Sequence, residues 1–209
     1  MARSSMFTGI VIATGRVRSA SDATGMQRIA ITPPNGFAAG IAVGASVAVD
    51  GVCLTVSAVA GNVLEFDVIA ETLARTTLGE RLTEGATVNL ERSAQLGDEI
   101  GGHLVSGHIS TIGTVIAVET ANGVHDLRLR IGRDWVTYVF EKGFVALDGI
   151  SLTVGEIWPE TGEFRVHLIP ETLTRTTIST RTPGDRLNVE IDAMTRATVE
   201  TVTRIMEKQ

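Results

Sequence analysis

Asp50-Gly-Val-Cys-Leu-Thr-Val56 returns further along the chain as Asp148-Gly-Ile-Ser-Leu-Thr-Val154, 98 residues on and identical at five of seven positions. Outward from this pair, Glu71-Thr-Leu-Ala-Arg-Thr-Thr77 recurs as Glu171-Thr-Leu-Thr-Arg-Thr-Thr177 at an offset of 100, and Val88-Asn-Leu-Glu91 as Leu187-Asn-Val-Glu190 at 99. The offset grows where Ala60-Gly61-Asn62 stands against the longer Trp158-Pro-Glu-Thr-Gly-Glu163. Both stretches read as hairpin turns, where a change of length is absorbed. Run backwards, the offset sets Thr8-Gly9-Ile10 opposite Ser106-Gly107-His108, with the boundary near Gly101-Gly102. A period this long, present only twice, is a duplicated domain and not a solenoid.

Within each half, short runs rich in Val, Ile and Thr alternate with Gly, Asn and Pro, the pattern of small antiparallel barrels. The two-residue period predicts Val52, Leu54 and Val56 on a core face, with Cys53, Thr55 and Ser57 opposite. Likewise Ile150, Leu152 and Val154 fill the second core, while Ser151 and Thr153 point the other way. A duplicated small polar pair on one strand face can line a pocket. Short helices are expected after Glu71 and Glu171, and Asp134 is a candidate cap for a turn that gathers Trp135, Tyr138 and Val139. The clearest helix follows Asp192, a candidate N-cap, and runs to Met206 outside both repeats. Its stripe of Val199, Val202 and Met206 either packs on a barrel or meets copies from other subunits.

The chain has 209 residues, 44% hydrophobic and 20% charged, ordinary values for a globular protein of one large or two small domains. Its formal charge of -6 leaves no broad basic surface to neutralise a phosphate backbone, and 4% aromatic residues offer few stacking platforms for single-stranded nucleic acid. One cysteine, Cys53, cannot make an intrachain disulfide, and the four histidines lack zinc-ligand spacing. No apolar stretch reaches the ~18 residues of a membrane span, and Met1-Ala-Arg-Ser-Ser-Met6 lacks the apolar region of a signal peptide. These features predict a cytoplasmic protein, with the five residues before Met6 left out of the fold argument.

The repeat is most informative where it departs from itself: Cys53 faces Ser151, and Ile10 faces His108. On this count the C-terminal half is the richer in proton-transfer groups. Asp148 and Ser151 lie three residues apart, where a carboxylate can polarise a hydroxyl or a water. The competing reading is that Asp148-Gly149 forms a turn, as Asp50-Gly51 would. Gly101-Gly-His-Leu-Val-Ser-Gly-His108 carries two histidines able to act as acid or base, or simply to hydrogen-bond a turn. It is not a nucleotide fingerprint, since no G-x-G-x-x-G between a strand and a helix surrounds it. Cys53 reads either as a small buried hydrophobe or as a group on the polar strand face. Glu71-Thr72 and Glu171-Thr172 read as helix-capping pairs or as polar ligands at a pocket rim. Lys142 reads as a solvated charge.

From Met6 onward the chain resembles the α-chain type of riboflavin synthase. The resemblance is carried by Met6-Phe-Thr-Gly-Ile-Val11, Gly51-Val-Cys-Leu-Thr-Val56, Glu99-Ile-Gly-Gly-His-Leu-Val-Ser-Gly-His108, Asp148-Gly-Ile-Ser-Leu-Thr-Val154 and His167-Leu-Ile-Pro-Glu-Thr-Leu173. It implies an all-β fold of two homologous six-stranded Greek-key β-barrels plus a C-terminal α-helix. The implied domains are an N-terminal lumazine-binding barrel at 6–101, a C-terminal lumazine-binding barrel at 102–190 and a trimerisation helix at 191–209. It further implies a homotrimer in which the N-terminal barrel of one subunit and the C-terminal barrel of its neighbour enclose each site. The implied reaction is the dismutation of two 6,7-dimethyl-8-ribityllumazine molecules to riboflavin and 5-amino-6-(D-ribitylamino)uracil. Donor and acceptor are the same compound, so no cofactor is expected. Association with a lumazine synthase that supplies the substrate is left open.

Carried over by motif, the resemblance implies catalytic roles for Asp148, Ser151, His108, Cys53 and Thr153. In the N-terminal half it implies substrate contacts at Gly9, Ile10 and Val11, at Ser46, at Cys53, Leu54 and Thr55, and at Asp67, Val68, Ile69, Ala70, Glu71 and Thr72. In the C-terminal half the implied contacts are Gly107, His108 and Ile109, then Lys142, then Ser151, Leu152 and Thr153. The last group is His167, Leu168, Ile169, Pro170, Glu171 and Thr172. Several of these contacts are expected from backbone atoms. The competing reading is a binding-only protein of the same fold, since lumazine proteins hold a fluorescent ligand without turning it over. Asp148, Ser151, His108 and Cys53 occurring together favour the enzyme.

Overall fold

A computed structural model describes residues 6–121 and 124–208. The reading of the N-terminal leader rests on residues 1–5, which lie outside them. The first half supplies strands β1 (Ala13–Ala23), β2 (Met26–Thr32), β3 (Ser46–Val49), β4 (Val52–Ala60), β5 (Val63–Ile69) and β6 (Thr87–Arg92). Two short helices, α1 (Ala70–Arg75) and α2 (Leu78–Arg81), lie between β5 and β6. The second half supplies β7 (Thr111–Ala121), β8 (Val124–Arg130), α3 (Arg133–Val136), β9 (Phe144–Leu147), β10 (Ile150–Trp158) and β11 (Glu163–Leu168). It continues through α4 (Pro170–Arg175), a 3-10 turn (Thr177–Thr180) and β12 (Arg186–Ile191) to the terminal helix α5 (Ala193–Met206).

Each half closes into a six-stranded antiparallel barrel, in the order β1-β2-β5-β4-β3-β6 and, correspondingly, β10-β11-β8-β7-β12-β9. Strands β3, β4 and β5 are consecutive and β6 returns beside β3, which is a Greek key, repeated by β9 to β12. Closure needs strong local curvature, and register shifts supply it at matching places: after Val17 and Val56 in one barrel, after Val115 and Val154 in the other. The predicted alternation holds. Val52, Leu54 and Val56 are buried against Leu64 and Phe66, and Ile150, Leu152 and Val154 against Leu127 and Phe164. Each such side chain contributes roughly 1.5–3 kcal/mol on leaving water.

Two expected caps are corrected. Helices α1 and α4 follow directly from extended strands, so their N-cap positions are Ile69 and Ile169, which have no side-chain oxygen to offer. Glu71 and Glu171 instead reach one turn ahead to Arg75 and Arg175. Asp134 lies inside the first turn of α3, whose cap is Gly132 at φ 90°, although Trp135 and Tyr138 do meet, with ring centroids 6.0 Å apart. Asp192 caps α5 as expected, its carboxylate accepting from the Thr195 N–H at 2.7 Å. Beyond Arg196, which lies over the Trp135 ring, α5 leaves Val202, Ile205 and Met206 exposed.

The barrels are tied together by two straps that cross. Phe7 and Val105 pair as an isolated antiparallel bridge, with N–H to carbonyl distances of 2.7 and 3.0 Å. Past that bridge each strap lies on the other half's barrel: Ser151 N–H donates to the Gly9 carbonyl at 2.8 Å, and Cys53 N–H to the Gly107 carbonyl at 3.0 Å. Val11 enters the C-terminal core, and Ile109 packs on the N-terminal one. A buried carboxylate on each strap's own barrel grips it. Glu91 accepts from the Thr8 N–H and hydroxyl at 2.6 and 2.8 Å and from Gly9 N–H at 3.1 Å. Glu190 does the same for Ser106 and Gly107.

Candidate active site

The outer faces of β4 and β10 carry the duplicated polar pairs, each completed by the opposite half's strap. On the N-terminal face Cys53 is half-buried and Thr55 exposed, with Ser46 paired across to Thr55 on β3. Gly107, His108 and Ile109 approach from the second strap. A Cβ at Gly107 would lie 2.5 Å from that of Cys53, so only glycine permits this approach. On the C-terminal face Ser151 is half-buried and Thr153 exposed, and the strap brings Gly9, Ile10 and Val11. A Cβ at Gly9 would lie 2.6 Å from that of Ser151.

This crossing overturns one sequence-based expectation. His108 belongs by sequence to the C-terminal half, yet it sits on the N-terminal face with Cys53, where its Nδ1 lies 3.0 Å from Ser106 Oγ. The imidazole beside Ser151 is that of His103, whose Nδ1 is 2.7 Å from Ser151 Oγ. Phe144 stacks on the His103 ring at 5.2 Å and 14°, and a Cβ at Gly102 would lie 2.9 Å from Ser151 Oγ. Burial pushes the His103 pKa below the ordinary histidine value, with Asp192 opposing weakly. A neutral imidazole with its proton on Nε2 accepts from the Ser151 hydroxyl, the arrangement that makes a hydroxyl nucleophilic.

Asp148 is the second correction. Its carboxylate turns to the junction of the barrels, where it accepts from Asn188 N–H at 2.8 Å, Arg81 at 2.7 Å and Arg181 at 3.1 Å. The Asp-Gly turn prevails over polarisation of Ser151: Asp148 adopts φ 44°, as does Asp50. Asp50 is fully buried beside it and pairs with Arg81 at 3.1 Å. Burial first, then the neighbouring Asp148, push the Asp50 carboxyl up to about 7. Asn89 and Asn188 cross the same junction, each donating to the carbonyl of the opposite half's aspartate, Asp148 and Asp50. Sequence reasoning gave no role to Glu91, Glu190, Asn89, Asn188, Arg81 or Arg181. Their recurrence at the repeat offset was the available signal.

Among the other sequence-predicted contacts, Leu54, Val68, Leu152 and Leu168 turn their side chains into the cores, which leaves only backbone groups for a ligand. Ile69, Ala70, Glu71, Ile169, Pro170 and Glu171 are exposed where strand passes to helix, and Thr72 and Thr172 are half-buried behind them. Asp67 accepts from Arg28 Nε at 2.8 Å, and His167 Nδ1 lies 2.6 Å from Asp126. Lys142 is exposed and held at φ 65°, where the equivalent residue of the first half is Gly44 at φ 86°. A non-glycine in that position carries backbone strain that glycine avoids. Neither face is an enclosed cavity. A cleft of about 540 Å³ opens beside the first strap, but it is lined by Ile10, Glu91, Asp98 and their neighbours and contains neither Ser151 nor Cys53.

Comparison with known proteins agrees with this geometry. The family profile described as "Lumazine binding domain" matches residues 8–93 and again residues 106–192. Solved structures of LumP resemble the chain over 88% of its length: the complex with 6,7-dimethyl-8-(1'-D-ribityl) lumazine at TM-score 0.78 and 25% identity, and the riboflavin complex at 0.79 and 27%. Barrels, straps and twin faces thus define a tandem lumazine-binding protein. Identity is higher to the riboflavin synthases: 44% over 96% of this chain and 93% of the Escherichia coli (strain K12) protein, and 42% over 98% of both for Chlamydia muridarum. The chain belongs to the riboflavin synthase family, and it is an enzyme of riboflavin biosynthesis.

Proposed function

We propose that the chain dismutates two molecules of 6,7-dimethyl-8-ribityllumazine, one on each kind of face, as the last step of riboflavin biosynthesis. One molecule passes a four-carbon unit to the other, giving riboflavin and 5-amino-6-(D-ribitylamino)uracil. The two products together contain every atom of the two substrates, so no external electron carrier enters the balance. The observation that carries the assignment of roles is the 2.7 Å contact between His103 and Ser151 on the C-terminal face. There His103 draws the proton from Ser151, or from a water held in its place, that oxygen adds at C7 of the bound lumazine, and the C7–O bond breaks again, the oxygen regaining its proton from His103, as the four-carbon unit is passed on. The C7 methyl group of the molecule on the N-terminal face loses a proton, and the carbanion attacks across the gap. Cys53 and Thr55 orient this second ring, and His108 at its edge moves the proton. Thr153 and Lys142 hold the first ring. Asp148 is a positioning residue that fixes the start of β10. Holding two rings face to face supplies much of the acceleration.

Both faces are open surfaces, so a second chain is needed to close them on their ligands. A homotrimer joined through α5 meets that need, and the exposed Met194, Val202, Ile205 and Met206 support it. Sedimentation should show three copies, and truncation before α5 should abolish both trimer and turnover. The free Cys53 fits a reducing cytoplasm, and no helix among the described residues is long and apolar enough to cross a membrane. Association with lumazine synthase completes the reading and is tested by co-sedimentation. The primary test is incubation of purified protein with 6,7-dimethyl-8-ribityllumazine alone. Riboflavin and the uracil product should appear in equal amounts. Ligand binding without product would return the chain to the binding-only class.

A further inference from the structure

Asn89 and Asn188 are equivalent in the repeat, both are fully buried at the junction, and each sends its side-chain amide into the barrel to which it does not belong. The backbone holds each to its own barrel. Asn89 N–H donates to Asp50 Oδ1 and its carbonyl accepts from Asp50 N–H, at 2.8 and 2.9 Å, and Asn188 pairs with Asp148 in the same way at 2.8 and 2.9 Å. From that anchorage the Asn188 amide reaches two points of the N-terminal barrel. Its Nδ2 donates to the Asp50 carbonyl at 2.9 Å, just ahead of β4, and its Oδ1 accepts from Thr77 N–H at 2.8 Å, just beyond α1. Asn89 does likewise in the C-terminal barrel, at the Asp148 carbonyl (3.0 Å) ahead of β10 and at Thr177 N–H (2.9 Å) beyond α4. Because β5 runs antiparallel to β4 and β11 to β10, the corner into α1 comes level with Cys53 and the corner into α4 with Ser151. Strand start and helix are thus two sides of each polar face, and one foreign amide spans them. The joint has no slack: a Cβ at Gly51 would lie 2.5 Å from the Gly149 nitrogen.

We propose that each asparagine is a positioning residue for the opposite barrel's face: Asn188 sets the distance from β4 to α1 for the ligand beside Cys53, and Asn89 sets that from β10 to α4 for the ligand beside Ser151. An amide suits the task because it donates and accepts at once, whereas an aspartate of the same size would leave the buried carbonyl without a donor. The spacing is held firmly, since any other would leave two buried backbone groups unpaired. The inference rests on the functional reading above. Its consequence is that a change within one barrel is felt by the ligand on the other.

Cys53 is the chain's one cysteine, so a thiol reagent reports on the N-terminal face alone. The test is the protection of Cys53 from dithiobis(nitrobenzoate) by riboflavin in the intact protein, with total riboflavin binding read in parallel from the quenching of its fluorescence. Asn188→Ala should raise the riboflavin concentration that half-protects Cys53 about tenfold, the scale of one hydrogen bond, and leave the second class of sites within about twofold. Asn89→Ala should do the reverse. Asn89→Ser and Asn188→Ser, whose hydroxyl is shorter but still donates or accepts, should show the same crossing more weakly, and they carry the test if an alanine variant fails to fold. Weakening of the asparagine's own barrel face, equal weakening of both faces by either variant, or unchanged affinity throughout overturns the inference. Riboflavin that never protects Cys53 in the wild type would overturn the functional reading, and the inference with it.

Discussion

The two barrels are built on one plan, and their outer faces diverge. Inside, the correspondence is close: β4 matches β10 in its buried positions, Glu91 matches Glu190 in gripping a strap, and Asn89 matches Asn188 in crossing the junction. Outside, Cys53 stands for Ser151, Ser46 for Phe144, Gly44 for Lys142 and Asp67 for His167. The fold is preserved by what faces inward, and what faces outward is free to differ. In the function proposed above, the twin faces take two copies of one ligand, and their differences give the copies different roles.

Breaking the Ser151–His103 contact tests that division most severely. Ser151→Ala or His103→Ala should lower kcat by roughly 10²–10⁴-fold with little change in KM, the usual scale for losing acid–base assistance. Cys53→Ala on the other face should cost less than about tenfold, since its proposed task is orientation. Because burial lowers the His103 pKa, its neutral form persists to lower pH than an ordinary histidine's. The acid limb of the kcat profile should therefore lie below the usual imidazole range and vanish in His103→Ala. A comparable fall in kcat for Cys53→Ala would erase the distinction between the faces.

The strap carboxylates come next. Glu91 and Glu190 each satisfy three strap donors from a buried position, and burial raises both pKa values against the pull of those donors. Glu91→Ala or Glu190→Ala strands these donors and should cost about 2–3 kcal/mol of stability by urea unfolding. Since the straps cross, Glu91→Ala should impair the Ser151 face and Glu190→Ala the Cys53 face. The reverse pairing would contradict the crossing.

The crossing also marks the limit of what was legible in the sequence. The duplication, the core alternation of Val52, Leu54 and Val56, and the Asp192 cap follow from local periodicity and capping chemistry, which act over a few residues. The partner of Ser151 does not, because His103 reaches it through a strap whose path is set by contacts far away in the chain. By sequence offset His108 replaces Ile10, but in space the two lie on opposite faces. Asp148 was misread for a related reason. Its spacing from Ser151 was visible, while the guanidinium groups that claim it, Arg81 and Arg181, come from remote helical and turn segments.

The junction itself offers a smaller effect with a sign. The Asp50 carboxyl, raised from its usual 3.8 to about 7, favours the protonated form in the folded state. Its contribution to stability is complete below pH 3.8 and is lost as pH rises through 7. Asp50→Asn removes that loss and keeps an acceptor for Asn89 N–H. Relative to wild type the variant should gain stability as pH rises from acid to mildly alkaline, read from thermal unfolding across the range. A difference that does not change with pH would mean that folding leaves the Asp50 pKa where it is in the unfolded chain.

Lys142 should show the smallest change in stability and one of the clearest divisions between folding and function. Its N–H donates to the Val154 carbonyl at 2.9 Å, as Gly44 N–H donates to Val56 at 2.8 Å, so both loops need the same left-handed backbone. A lysine there costs about 1 kcal/mol in strain. Lys142→Gly relieves that strain but returns roughly 0.5–1 kcal/mol of chain entropy to the unfolded state. The two terms nearly cancel, and Tm should move by less than about 2 °C. Lys142→Ala keeps the strain, yet it should lose ligand affinity as much as Lys142→Gly does, because both lack the ammonium. If calorimetry finds weaker binding in Lys142→Ala alone, the lysine matters for loop geometry, and the outward faces differ by one functional residue fewer.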